Sequence, residues 1–224
     1  MYGKVKLTKR QIKEDKFTTF MLTAKHQFLE NWQFFVIGIA AVVLVIVAVV
    51  YYFNSQQVKK QEAAEAYSRA LMDYRTGNSQ VAMMSLDQIL EDYAGTTVAE
   101  QATFLLGKLN YEGQNYAEAL RYFQMYADNY HDSKFRRASA LAGIAGCYEN
   151  EGNFLQAAQT FAAAIAADPG GPLNGDHHLA AMRNYLAAGD LTSARTHLDV
   201  IKDEFKGTGL EPRALRLFAE KSRS

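Results

Sequence analysis

Hydrophobic residues follow two different patterns along this chain. Between Asn31 and Val58 no residue is charged, and inside this stretch lies an unbroken apolar run, FFVIGIAAVVLVIVAVVYYF, at residues 34–53. Twenty helical residues at about 1.5 Å each reach about 30 Å, the thickness of a bilayer's hydrocarbon core. Fourteen of the twenty are Val, Ile, Leu or Phe, and each favours insertion by about 0.3–0.6 kcal/mol near the centre of a span. Ten are Val or Ile, weak helix formers in water; lipid enforces the helix because it offers the backbone no other hydrogen-bond partner. Trp32 before the run and Tyr51 and Tyr52 at its end are placed as interfacial aromatic residues. A buried core helix would be shorter and would carry a polar stripe. A cleaved signal peptide would begin nearer the N-terminus and end in small residues. The run is therefore expected to be an uncleaved transmembrane helix.

After the run the pattern becomes periodic. Ala82, Ala119, Ala157 and Ala194 are separated by 37, 38 and 37 residues, and a bulky residue follows each by four: Leu86, Phe123, Phe161 and Leu198. Gly77, Gly152 and Gly189 stand five residues before their alanines, and Gly113 stands six before Ala119. Each block reads as a helix, a glycine turn and a second helix. Glycine permits the left-handed conformation that ends a helix. Alanine lets the second helix approach the first closely, and the bulky residue one turn on fills the space below. A single hairpin cannot bury its own apolar face, so neighbouring hairpins must stack. Residues 211–221, with Pro212 near their start, read as a last helix covering the end of the stack.

Ahead of the run, Thr8 and Gln11 have capping-box spacing and predict a helix starting near Lys9. Ile12, Phe17, Phe20, Met21, Ala24 and Phe28 then recur close to a 3.6-residue period. Basic residues occupy the other faces, as suits either an interfacial helix on anionic lipid or a docking helix for a cytosolic partner.

Charge gives the anchor a direction. Residues 1–33 carry seven Lys/Arg against three Asp/Glu, so a chain of zero net charge divides into a head of +4 and a body of −4. The positive-inside rule places residues 1–33 in the cytoplasm and the chain after residue 53 outside it. An acidic body also argues against nucleic acid as a ligand, since phosphate binding needs a basic face. Cys147 is the only cysteine, so an intramolecular disulfide and a thiolate metal cluster are both excluded.

Catalytic templates are absent: there is no P-loop, dinucleotide fingerprint, H-E-x-x-H or G-x-S-x-G. Asp176, His177 and His178 form the densest metal-capable cluster. They are read as solvated side chains in a glycine-rich connection, residues 170–175, that leads into the fourth block. Cys147 is read as a small packed thiol, because no positive neighbour would lower its pKa. No catalytic residue, metal, cofactor or small-molecule substrate is expected.

The third block carries a family likeness. Tyr148, Gly152, Phe154, Ala157, Phe161, Ala164 and Pro169 stand in the register of the tetratricopeptide repeat, which the chain resembles. The other blocks match in part, through Leu106, Gly107, Tyr116, Ala119 and Phe123, then Tyr185, Gly189, Ala194 and Leu198, and least through Gly77, Ala82 and Leu86. The spacing exceeds that family's period of about 34 residues, which implies longer helices or loops. The whole layout further resembles the ancillary subunit of the bacterial Sec translocon. The stretch Tyr51-Tyr52-Phe53-Asn54-Ser55-Gln56-Gln57-Val58, followed by Ala63 to Ala70, is similar to that family's exit from the membrane into its first repeat helix.

The expected fold is thus all-α: a basic stub (1–33), one transmembrane helix (34–53), and a solenoid (54–224) of about four tetratricopeptide-like hairpins with a capping helix. What the resemblance implies is a single-pass protein of the bacterial inner membrane. Its repeats would be periplasmic, and its role that of a scaffold at the protein-export channel that meets periplasmic chaperones or emerging chains. The alternative is a coordinator of cell-envelope or division machinery. Either way the partners are a membrane protein complex and membrane lipid. The first helices of such hairpins line a concave groove, to which the register assigns Tyr67, Leu71, Tyr74, Phe104, Lys108, Tyr111 and Arg183. The paired Lys and Asn by which the family clamps a C-terminal carboxylate are missing. The same aromatic residues would equally serve to seal one hairpin against the next.

Overall fold

The computed structural model describes residues 9–221, with side chains for 17–26 and 32–221. The fold is all-helical among these residues, and the chain divides into two units between Val58 and Lys59.

Helix α1 is described over Lys9–Arg75, and the predicted cap at Thr8 lies outside the described residues. In the first unit α1 carries the apolar run, and every side chain from Trp32 to Phe53 is exposed. Phe17, Phe20 and Met21 of the stub are exposed as well, while Ile12 and Phe28 lie outside the described side chains. A helical stretch whose apolar residues all face outwards, as residues 34–53 do, has no protein core to hold it. It is long and apolar enough to cross a membrane.

In the second unit the end of α1 (residues 59–75) pairs with α2 (Ser79–Asp92). Three further hairpins follow: α3 (Thr97–Glu112) with α4 (Tyr116–Asn129), α5 (Lys134–Asn150) with α6 (Phe154–Ala167), and α7 (Asn174–Ala187) with α8 (Leu191–Glu204). Each helix from α2 to α8 packs on the next, and α9 (Leu210–Lys221) packs on both α7 and α8. This is a solenoid of four stacked hairpins with a helical cap.

The four turns between paired helices are built alike. The N–H of Asn78, Asn115, Asn153 and Asp190 bonds back to the carbonyl five residues earlier, on Asp73, Asn110, Tyr148 and Tyr185, at 2.8–2.9 Å. That closure satisfies a carbonyl at the end of the first helix. The same four residues are the N-caps of the second helices, and the Asp190 carboxylate accepts from the Ser193 N–H at 3.0 Å. The residue before each must be left-handed: Gly77, Gly152 and Gly189 have φ between +79° and +87°. In the second turn the sequence reading assigns this role to Gly113, and the structure corrects it. Gly113 has φ −77°, and Gln114 holds the left-handed place at φ 61°. The register of the turn outweighs residue preference, because Gln114 is the residue five before Ala119.

Ala82, Ala119, Ala157 and Ala194 have no exposed surface, and Leu86, Phe123, Phe161 and Leu198 are buried below them. Phe123 of α4 is the tightest of these sites. A Cβ at Gly107 of α3 would stand 2.7 Å from its ring, and one at Gly143 of α5 would stand 2.6 Å from the opposite edge. Phe104 adds an edge-on contact at 5.8 Å. One ring therefore fixes the spacing of α3, α4 and α5.

Two outcomes are expected in chemical unfolding of the purified chain followed by its helix signal. Gln114→Gly raises stability by about 1 kcal/mol, because left-handed strain is relieved by more than the added freedom of the unfolded chain. Gly143→Ala lowers stability by about 1–3 kcal/mol through overpacking, and Phe123→Leu in the same chain recovers part of that loss, since the two sites touch.

Candidate functional site

The first helices of successive hairpins are joined side by side near their C-terminal ends. Tyr74 donates its hydroxyl to Glu112 at 3.0 Å, Asn150 donates to the Tyr111 hydroxyl at 3.0 Å, and Arg183 pairs with Glu149 at 2.7 Å. Each link spans one hairpin to the next. Three of the seven residues assigned to the groove, Tyr74, Tyr111 and Arg183, spend their polar groups on these links. Tyr111 also lies against Gly146, where a Cβ would approach its hydroxyl to 3.0 Å, and meets Tyr116 edge-on at 5.4 Å. Leu71 is half-buried on the core formed by Leu86, Ile89 and Leu106.

The remaining three, Tyr67, Phe104 and Lys108, come together. With Gln101, Leu105 and Arg136 they line a cavity of about 340 Å³ formed by α1, α3 and α5. Lys108 stands 3.6 Å from Glu112 and 5.7 Å from the centre of the Tyr74 ring. Burial pushes the Tyr67 phenol above its ordinary value, against the opposing pull of Arg136. The phenol is therefore a neutral donor at physiological pH. The cavity thus presents two aromatic rings, a leucine, an amide and two cations.

Arg136 escaped sequence reasoning, though it left a signal. Ser133 caps α5 by accepting from the Arg136 N–H at 3.3 Å, which puts a cation in the first turn of a helix, where the dipole disfavours it. The compensating group is Glu100, 6% exposed in the first turn of α3. Its Oε1 accepts from the Tyr126 hydroxyl at 2.5 Å and lies 3.5 Å from the Arg136 guanidinium. Tyr126 is pushed up by burial and by the Glu100 carboxylate, so its phenol stays protonated as the donor. Glu100 had no sequence signal, because its partners are 26 and 36 residues away.

The reading of Asp176, His177 and His178 as loop residues is also corrected. Helix α7 starts at Asn174, so all three are helical; His177 is 6% exposed and His178 half-buried. In the first turn of this helix Gly175 lets Phe205 and Leu210 close on it, where a Cβ would stand 2.5 Å from Leu210 Cδ1. Cys147 is fully buried in the core around Phe123, and burial pushes its thiol up to about 11. Among the described residues no group of three or more His, Cys, Asp or Glu is placed to hold a metal ion.

Stacked hairpins presenting a mixed aromatic and cationic surface define a helical-repeat scaffold of the kind that engages other proteins. The chain belongs to the tetratricopeptide repeat-like domain family, whose model matches residues 25–169. No curated protein matches it. Among solved structures it is similar to nearly identical TPR-like repeats assigned to a kinesin light chain of Podosopora anserina. That similarity has 13% identity and a TM-score of 0.56, over 71% of this chain and 84% of the other. At that identity the likeness concerns the fold alone.

Substitution separates the two cations of the cavity. Arg136→Met is expected to lower stability by about 1–3 kcal/mol, because buried Glu100 loses a donor. Lys108→Met, which removes an exposed pair, costs at most about 1 kcal/mol. Denaturant titration of the two variants distinguishes them. A thiol reagent at neutral pH is expected to leave Cys147 unmodified until the chain is unfolded.

Proposed function

We propose that this protein is a single-pass membrane scaffold whose repeat domain faces the side opposite the basic stub and receives protein partners in the cavity between Tyr67, Phe104, Lys108 and Arg136. The observation that carries the anchor is that every side chain of an uncharged apolar stretch of α1, residues 34–53, is exposed, since such surface in water would drive aggregation. The charge difference across that helix supports a cytoplasmic N-terminus and extracytoplasmic repeats. Trp32, Tyr51 and Tyr52, each more than half exposed, suit the two interfaces with the lipid headgroups.

The cavity favours an extended segment that offers an apolar side chain to the rings and a hydrogen-bond acceptor or carboxylate to the cations. In a bacterium the resemblance to the translocon's ancillary subunit makes the export channel, its periplasmic chaperones and emerging chains the partners of choice. The protein acts there by binding and not by catalysis.

The test combines topology and capture. A periplasm-active reporter fused after Ser224 is expected to be active, and a silent reporter reverses the orientation. A photo-crosslinking residue in place of Phe104 is expected to capture translocon components or emerging chains in intact membranes, and Tyr67→Ala and Lys108→Ala are expected to reduce the yield. Capture of cell-wall synthases without channel components replaces the export reading with the envelope-coordinator one. Unchanged capture in both variants removes the cavity as the binding face.

A further inference from the structure

His178 on α7 and His197 on α8 meet across the last hairpin, with their Nδ1 atoms 2.8 Å apart and ring centroids 5.0 Å apart. One Nδ1–H must donate to the bare Nδ1 of the other ring, so the contact exists only while at least one imidazole is neutral. Tyr185 stacks on His197 at 5.6 Å, and Phe205 lies 6.4 Å from His178. The pair is thus the polar centre of a column of four rings. Tyr185 and Phe205 also pack on the core that α7, α8 and α9 share through Leu179, Met182, Leu198 and Ala214.

Few charges offset a second proton there. Glu204, at the exposed end of α8, is the carboxylate that acts on His178, while His177 opposes protonation from α7 and turns its own ring towards Phe161 of α6. On α8, Arg195 lies over the Phe218 ring and Asp199 pairs with Lys202. On α9, Glu211 accepts from the Gly207 N–H, and Arg213, Arg216, Glu220 and Lys221 are exposed. Tyr185 is held neutral by burial.

We propose that the His178–His197 pair is a proton-operated latch, which holds the α7–α8 hairpin closed while at least one ring is neutral and opens it, together with the α9 cap, when both rings are protonated and two cations meet. The hairpin is the last in the stack, α9 packs on its two helices, and it meets the hairpins before it through α6, so its opening breaks that one boundary and leaves the earlier hairpins stacked. Burial lowers both rings, His197 to about 4 with His178 adding to the effect. The sign follows: the open form binds protons at both rings from the ordinary histidine value of about 6.5 downwards, and the closed form binds them only at lower pH. Closure is therefore complete above that value. It weakens by about tenfold per pH unit below it, for each proton taken up, until the closed form itself titrates.

The test is amide hydrogen exchange on the full chain in detergent, corrected for the intrinsic pH dependence of exchange. Between pH 7 and pH 5 the α7–α9 amides are expected to lose protection at least about tenfold while α3–α6 keep theirs. The double variant His178→Phe, His197→Phe, which keeps the ring column but cannot titrate, is expected to lose none. Equal loss in the variant, or simultaneous opening of α3–α6, overturns the latch. Should the variant fail to fold at neutral pH, histidine NMR of the unaltered chain decides. Both rings titrating independently near their ordinary value overturns the proposal, and titration of the pair well below it, together with the loss of α7–α9 protection, supports it.

Discussion

Phe123 lies between two backbones. Its ring enters the space between α3 and α5 only because each helix presents a glycine, Gly107 and Gly143, at the point of contact. Ala119, one turn earlier on α4, is fully buried and lets the same helix come close to its hairpin partner. The result is a fixed distance between the second and third hairpins, and the polar links follow from it. Asn150 reaches the Tyr111 hydroxyl, and Glu100 reaches both Tyr126 and Arg136, because the helices that carry them are held at that separation. Close-packed interiors leave no slack for such a contact to be approximate.

The same geometry explains the candidate interaction surface. First helices carry large aromatic residues, and where these meet a glycine or an asparagine of the next hairpin they become part of the stack, as Tyr111 does on Gly146 and Asn150. Where the neighbour is Arg136, whose guanidinium is directed to buried Glu100, the rings are left lining a space. Packing and binding thus draw on one set of residue types, divided by what the following helix offers. Turn chemistry is equally economical: one residue, Asn or Asp, closes the first helix with its N–H and stands at the N-cap position of the second.

Much of this was written in local patterns. The apolar run, the alanine and bulky-residue register and the last helix could be read directly, because spacing along one helix or strict recurrence along the chain requires no knowledge of what lies opposite. Seven groove positions could be named from register but not sorted. Separating the cavity residues Tyr67, Phe104 and Lys108 from the stack residues depends on distant partners, which for Tyr74, Tyr111 and Arg183 stand 34 to 39 positions away and for Leu71 are the core residues of α2 and α3. Gln114 in a glycine's conformation and the early start of α7 were misread for a related reason. At Gln114 the register of the turn overrode residue preference, and at α7 the glycine that suggested a loop is a close contact with Phe205 and Leu210.

By itself, then, the sequence determined that the chain is helical, that one stretch, residues 34–53, is wholly apolar and flanked by unequal charge, and that the chain after it is four hairpins with a cap. These follow from periodicity and composition, which act within a helix. Tertiary structure alone decided which aromatic residues face a cavity, that Glu100 is buried beneath Arg136, and that His178 meets His197 across α7 and α8. Those pairings join helices through space, and only the stacking distance set by glycine, alanine and Phe123 brings them within reach.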